Sequence, residues 1–109
     1  MAFQETKGRY ASFGVVTSLP GEVIDHFWFI IDNYLKGVLP LKKVLRFSLK
    51  NRKGKLSITF SQEGYKEVLT IDFQNKFDPF FPSTVLVFDK EGQETVALPK
   101  ELNYISSRD

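Results

Sequence analysis

The sequence feature that most constrains this chain is an alternation of apolar and polar side chains, repeated three times between residues 44 and 73. A period of two is the pattern of a β-strand that buries one face and exposes the other to solvent. The apolar positions are Leu45, Phe47, Leu49, Leu56, Ile58, Phe60, Leu69, Ile71 and Phe73. Turns at residues 51–54 and 63–64 separate the three runs, so the pattern predicts an antiparallel meander with one apolar and one polar face.

A helix is predicted over about residues 20–36. Pro20 suits the first turn, Glu22 faces the positive end of the helix dipole, and Gly37 can adopt the left-handed conformation that ends a helix. At roughly 100° per residue, one broad arc of the helix is apolar. Its members are Val23, Ile24, Phe27, Trp28, Ile30, Ile31, Tyr34 and Leu35. Phe29 departs from the pattern, because it projects into the polar side of the helix.

The remaining segments complete the predicted architecture. Residues 11–17, 84–88 and 94–98 read as strands, whereas the two prolines of 75–83 exclude a central strand there. Phe77, Phe80 and Phe81 in that loop either plug one end of the core or form an aromatic lip for a peptide or small ligand. We predict an α+β fold, one long helix packed on a mostly antiparallel sheet of about five to six strands. The chain is expected to be a single domain, 1–109, with flexible ends at 1–8 and 103–109.

Composition argues against most kinds of chemistry. The chain has no cysteine and one histidine, so a thiol nucleophile and an ordinary zinc site are excluded. No glycine-rich phosphate loop is present, and Asp25 and Asp32 are two helical turns apart, which is wide for a hydrolytic pair. We therefore expect no enzyme, no metal and no cofactor. The first ten residues lack a secretory pattern and the apolar runs are too short for a membrane span, so a cytoplasmic location is expected.

The first candidate surface is the polar side of the helix around Phe29, with His26, Asn33 and Asp25. An exposed phenylalanine forgoes roughly 1.5–3 kcal/mol of burial, which calls for an explanation. One explanation is that a chain terminus covers the ring, through Phe3 or through Leu102, Tyr104 and Ile105. Another is a protein contact, such as a homodimer packed through the helix, and the third is simple exposure. The protein contact, with Phe29, His26, Asn33 and Asp25 as partner-binding residues, is our leading functional hypothesis.

The second candidate surface is the polar face of the meander at residues 43–72. Residues 41–66 hold eight cationic side chains against Glu63 alone. An alternative function is therefore nucleic-acid binding through Arg46, Lys50, Arg52, Lys53 and Lys55. Against it, the meander's aromatic residues point inward, which leaves no platform for stacking bases. Lysine-rich turns are also a common means of keeping sheets soluble.

Several short segments resemble a known family. They are Arg9-Tyr10, Gly14-Val15, Leu19-Pro20, Trp28 with Ile31-Asp32, Phe47-Ser48-Leu49, Ser61-Gln62-Glu63 and Val87-Phe88-Asp89. With these the chain resembles, over roughly residues 9–102, the bacterial family catalogued as domain of unknown function 960, found in Gram-positive bacteria and their mobile elements. The resemblance implies a small cytosolic accessory protein. That family has no agreed activity, cofactor or catalytic residues, so the resemblance assigns no role to any residue.

Overall fold

The computed structural model describes residues 2–62 and 64–101, with the backbone alone for 65–67. In this part of the chain the elements are β1 (Gly8–Ala11), α1 (Phe13–Ser18), α2 (Gly21–Ile30) continued by a π-helical turn (Ile31–Leu35), β2 (Val44–Arg52), β3 (Lys55–Gln62), β4 (Tyr65–Lys76), β5 (Thr84–Lys90) and β6 (Gln93–Ala97). The strands form one curled sheet in the order β1-β6-β5-β2-β3-β4. β1 is parallel to β6, and the other neighbours are antiparallel. Glu63, the side chain of Lys66 and the predicted flexible end 103–109 lie outside the described residues, as do Leu102, Tyr104 and Ile105.

The predicted fold class is wrong. The protein is a six-stranded mixed sheet curled into a half-barrel, and its helices are short, the longest helical stretch being 15 residues. Residues 11–17, predicted as a strand, mostly form α1. Ser12 caps this helix by accepting a hydrogen bond from the Val15 N–H at 3.2 Å. The β-branched composition of this segment favoured a strand, but the cap and the packing of α1 decided its conformation.

The antiparallel meander is confirmed. β2 and β3 pair Phe47 with Phe60, and β3 and β4 pair Ile58 with Ile71. β5 joins the other side of β2, where Val85 lies opposite Phe47. The alternation therefore predicted both the strands and the face that each buries, because that face packs against a single core.

The core lies between the apolar face of the sheet and the buried residues of α2. The Phe47 ring contacts Phe27 and Phe60, with centroids 5.3 and 5.6 Å away. Phe3, in the segment predicted to be flexible, is 1% exposed and belongs to this core. Its backbone N–H donates to Asp89 Oδ2 at 2.8 Å, which attaches the N-terminal arm to β5.

The π-helical turn changes which residues the end of the helix buries. Its hydrogen bond runs from the Lys36 N–H to the Ile31 carbonyl, five residues back, at 2.9 Å. A regular helix would place Tyr34 in the middle of the buried arc and Leu35 towards its edge. The wider turn rotates Tyr34 and Leu35 back around the helix axis. Leu35 is therefore fully buried, whereas Tyr34 is 43% exposed.

Candidate functional site

The predicted partner surface on α2 is an exposed pair of aromatic rings. Phe29 is 46% exposed, and its ring meets the edge of Tyr34 at a centroid distance of 5.9 Å. Asn33 donates from Nδ2 to the Phe29 carbonyl at 2.9 Å, and Asp25 is exposed. One of the explanations considered, that Phe3 covers the Phe29 ring, is wrong, because Phe3 lies in the core.

His26 makes its contacts inside the protein. Its ring stacks on Phe73 of β4, with centroids 3.8 Å apart and planes inclined by 14°. A hydrogen bond of 2.6 Å joins His26 Nε2 to Asn75 Oδ1 on the same strand. His26 therefore holds α2 to β4, and the partner surface predicted from the sequence retains few polar groups that face outward.

A buried carboxylate lies beneath the helix. Glu94 of β6 is fully buried and accepts hydrogen bonds from Arg9 Nε at 3.0 Å and Thr6 Oγ1 at 2.6 Å. The same guanidinium binds both oxygens of Asp32, at 2.6 and 2.8 Å, and lies 4.8 Å from the Trp28 ring centroid. These hydrogen bonds hold the pKa of Asp32 below its ordinary value. Arg9 thus binds two carboxylates and connects β1, β6 and the helix.

The most distinctive surface is the side of the sheet that faces away from the core, which we call the outer face. Strand neighbours alternate, so the residues between the core positions point to this side. Two rows across the strands follow from the register. The first joins Thr70, Thr59, Ser48 and Thr84; the second joins Val44, Phe88, Thr95 and Tyr10. The outer face therefore has a row of hydroxyl groups and, parallel to it, a row that carries two aromatic rings. Within the first row Thr59 is 3% exposed and its hydroxyl hydrogen-bonds to that of Thr70 at 2.9 Å.

The outer face is strongly cationic. Among the side chains described there, the cations are Arg46, Lys50, Arg52, Lys55, Lys76 and Lys90, and the carboxylate is Asp72. A hydrogen bond from Ser57 and the nearby Arg52, 3.4 Å away, hold the pKa of Asp72 below its ordinary value. Lys53, in the turn between β2 and β3, adds a further exposed cation at one end of this face. The five cations predicted from the sequence are thus brought together on or beside one surface.

Sequence reasoning missed the aromatic residues of the outer face. Phe88 follows a run of apolar residues in β5, so no alternation reveals which way it points. The structure shows Val85 and Val87 fully buried in the core cluster, whereas Phe88 is half-buried outside that cluster. Tyr10, on the edge strand β1, is 54% exposed.

The three phenylalanines of the loop after β4 differ in their burial. Phe77 and Phe81 pack against the core and against each other, with centroids 5.8 Å apart. Phe80 is 92% exposed. The Phe77 N–H donates to the Gly54 carbonyl at 2.9 Å, so the loop lies beside the turn that carries Lys53. The plug predicted from the sequence is thus made by two rings, and the third is left in solvent.

Other features of the described chain show little sign of chemistry. A shallow depression of about 590 Å³ lies between the N-terminal arm and the turn after β5. Asp89 on its wall accepts backbone hydrogen bonds at both oxygens, from Phe3 and Gly92. Within residues 2–62 and 64–101, acidic, histidine and cysteine side chains form no cluster of three suited to a metal ion. No helix of the same residues has the length and apolarity to cross a membrane.

Comparison with known proteins identifies a matching family and a similar solved structure. Residues 8–101 match the family model described as "Staphylococcal protein of unknown function (DUF960)". A crystal structure of a protein of unknown function from Enterococcus faecalis superimposes with a TM-score of 0.83 and 46% sequence identity, covering 86% of this chain and 89% of that one. A search of curated proteins finds no match.

Proposed function

We propose, from the premise that this chain belongs to the DUF960 family of staphylococcal proteins of unknown function, that it is a non-enzymatic protein that binds nucleic acid along its outer face. The observation that carries the proposal is the one-sided charge of the sheet. Six cations and one carboxylate lie on the outer face among the described side chains. Such a surface attracts a polyanion and steers its approach.

Hydroxyl groups beside the cations favour a phosphate backbone as the ligand. Ser48 lies between Arg46 and Lys50 along β2, on the same face. Thr84 of β5 is the neighbour of Ser48 on the adjacent strand. Side-chain hydroxyls and cations are among the groups that contact phosphate oxygens in protein complexes with nucleic acid. The acidic residues Glu22 and Asp25 belong to α2, on the other side of the sheet, so they lie away from the proposed binding surface.

We propose that the protein is not an enzyme, and the structural roles of its enclosed carboxylates support this. Glu94 is bound by Arg9 and Thr6 and has no exposed surface. Glu101 accepts hydrogen bonds from Ser12 Oγ at 2.5 Å and from the Gly14 N–H at 3.0 Å, where it caps the start of α1. A general acid or base must reach its substrate, and these groups are already occupied.

Fluorescence anisotropy tests the proposal. It measures the binding of a fluorescein-labelled single-stranded oligonucleotide of about 16 nucleotides at salt concentrations between about 50 and 200 mM. Neutralising about four phosphates predicts a log–log slope near −3. Arg46→Glu/Lys53→Glu should weaken binding about tenfold or more. Lys7→Glu/Lys100→Glu makes the same change in net charge at exposed residues outside the proposed surface, and should weaken it far less. Absence of binding at low salt, or equal losses in both variants, would overturn the proposal.

A second function, self-association through α2, is favoured by the Phe29–Tyr34 pair. Two large rings remain exposed side by side because the π-helical turn rotates Tyr34 out of the core. Exposed aromatic pairs are typical of the centres of protein interfaces. Sedimentation of wild type and Phe29→Ser tests this, with Phe80→Ser as a control at another exposed ring. A dimer that only Phe29→Ser dissociates would support it, and a monomeric wild type would rule it out.

A further inference from the structure

We infer that the outer face takes unpaired nucleotides and that Tyr10 and Phe88 stack on their bases, an inference that rests on the proposed function. The sequence argued against such a surface, because the aromatic residues of the meander all point into the core. The structure supplies the missing rings from β1 and β5, which join the meander only through the tertiary pairing of the strands.

Phe88 is on the outer face because of its register. It pairs with Val44 of β2 and with Thr95 of β6. Val44 is 38% exposed and, like Phe88, stands outside the core cluster. The ring therefore contributes nothing to the main core, although a residue such as threonine would suit a solvent-facing strand position equally well. Contact with a ligand explains the presence of an aromatic ring at this position.

The Tyr10 side chain extends back over Gly8 on the edge strand β1. A Cβ atom added to Gly8 would be 2.6 Å from Tyr10 Oη and 3.0 Å from its Cζ. The ring therefore runs back along β1 into the space that the missing side chain of Gly8 leaves. With 54% of its surface exposed, the residue is accessible to a base, which stacking requires.

The two rings and a cation are spaced for one strand of nucleic acid. Thr95 separates Phe88 from Tyr10, so the backbones of these two residues are two strand spacings apart, roughly 10 Å. Arg46 is the diagonal neighbour of Phe88, at about 7 Å between backbones, and can bind a phosphate beside the stacked base. In a duplex the base faces are already stacked on one another, so these rings distinguish single strands.

The wild-type protein provides a test that needs no variant. An oligothymidine and an abasic oligomer of the same length carry the same number of phosphates, but only the first can stack. We expect the oligothymidine to bind about tenfold or more tightly, with similar salt slopes. Equal affinities would overturn the stacking inference and leave phosphate binding standing. Failure of both oligomers to bind at low salt would refute the proposed function and this inference together.

Variants then locate the effect. Tyr10→Leu/Phe88→Leu removes the two rings but keeps apolar side chains, and should weaken oligothymidine binding about 5- to 100-fold with the abasic oligomer unaffected. Phe29→Leu/Tyr34→Leu is the matched control on α2 and should bind like wild type. Tyr10→Phe, which keeps the ring, should bind oligothymidine like wild type. Undiminished oligothymidine binding by Tyr10→Leu/Phe88→Leu, with thermal unfolding showing that it is folded, would overturn the assignment of these residues.

Discussion

Replacing Arg9 with methionine tests whether Arg9 compensates the charge of the buried Glu94 carboxylate. Glu94 is 0% exposed and receives one charged hydrogen bond, from Arg9 Nε at 3.0 Å. Removing one partner of a buried ion pair costs about 3–5 kcal/mol, because the other charge stays buried without compensation. Loss of the outer contact from Arg9 to Asp32 adds about 0–1 kcal/mol, since that pair is partly exposed to water. Lys36 Nζ lies 3.4 Å from Thr6 Oγ1 and can offset part of the loss.

We therefore expect Arg9→Met to lower the free energy of unfolding by about 3–5 kcal/mol at neutral or higher pH, a large share of the 5–15 kcal/mol typical of a domain. Urea denaturation at about pH 8 measures it. Arg9→Met/Glu94→Leu should recover most of the loss. A single variant within about 1 kcal/mol of wild type at pH 8, or a double variant less stable than the single one, would refute the reasoning.

Three further predictions concern stability. Burial opposes the ionisation of Glu101, but hydrogen bonds from Ser12, Leu98 and Gly14 outweigh it and hold its pKa below the ordinary value. The contribution of ionised Glu101 to stability is therefore present above the unfolded-state pKa and is lost as pH falls through the folded-state pKa. Glu101→Gln should lower the free energy of unfolding by about 1–3 kcal/mol at neutral pH. It should also flatten the acid side of the pH dependence of stability, which urea denaturation measures. Gly92→Ala should destabilise more than Gly37→Ala in thermal unfolding. Both glycines have positive φ, but a Cβ on Gly92 would be 2.6 Å from the Glu5 carbonyl, whereas Gly37 has open space. Phe77→Ala should lower the melting temperature and Phe80→Ala should leave it unchanged; the reverse order would contradict their placement.

Much of the described fold could be predicted from local patterns. The strands β2, β3 and β4 alternate cleanly, because one side of each packs on the core and the other faces outward. The helical segment from Gly21 was indicated by its terminal residues and its apolar arc. Such patterns repeat over several residues, so one exception does not obscure them.

The architecture as a whole could not be predicted in the same way. β1 spans four residues, Gly8–Ala11, too few for a period to show, and it pairs in parallel with β6, which lies far along the sequence. The segment after it contains β-branched residues that favour a strand, but it is capped as a helix by Ser12. Short elements at the edge of a sheet depend on distant partners, and this is why the predicted fold class failed.

The candidate site shows the same division. The cations Arg46, Lys50, Arg52, Lys53 and Lys55 were found from the sequence, because they are concentrated in two adjacent strands and a turn. The rings of Tyr10 and Phe88 were not, since each lies on the outer face only by virtue of its register. His26 was taken for a surface residue, but β4 places Phe73 and Asn75 against it.

The sequence by itself determined where charge accumulates and which side of the meander is apolar, because both follow from the order of neighbouring residues. Only the tertiary structure decided that two rings from separate strands share a surface with those cations. It also decided that Arg9 joins Glu94 and Asp32, residues on two different elements. The physical reason is that strand pairing and ion pairing act between groups that are distant along the chain, whereas burial on one face of an element leaves a repeating mark on its own sequence.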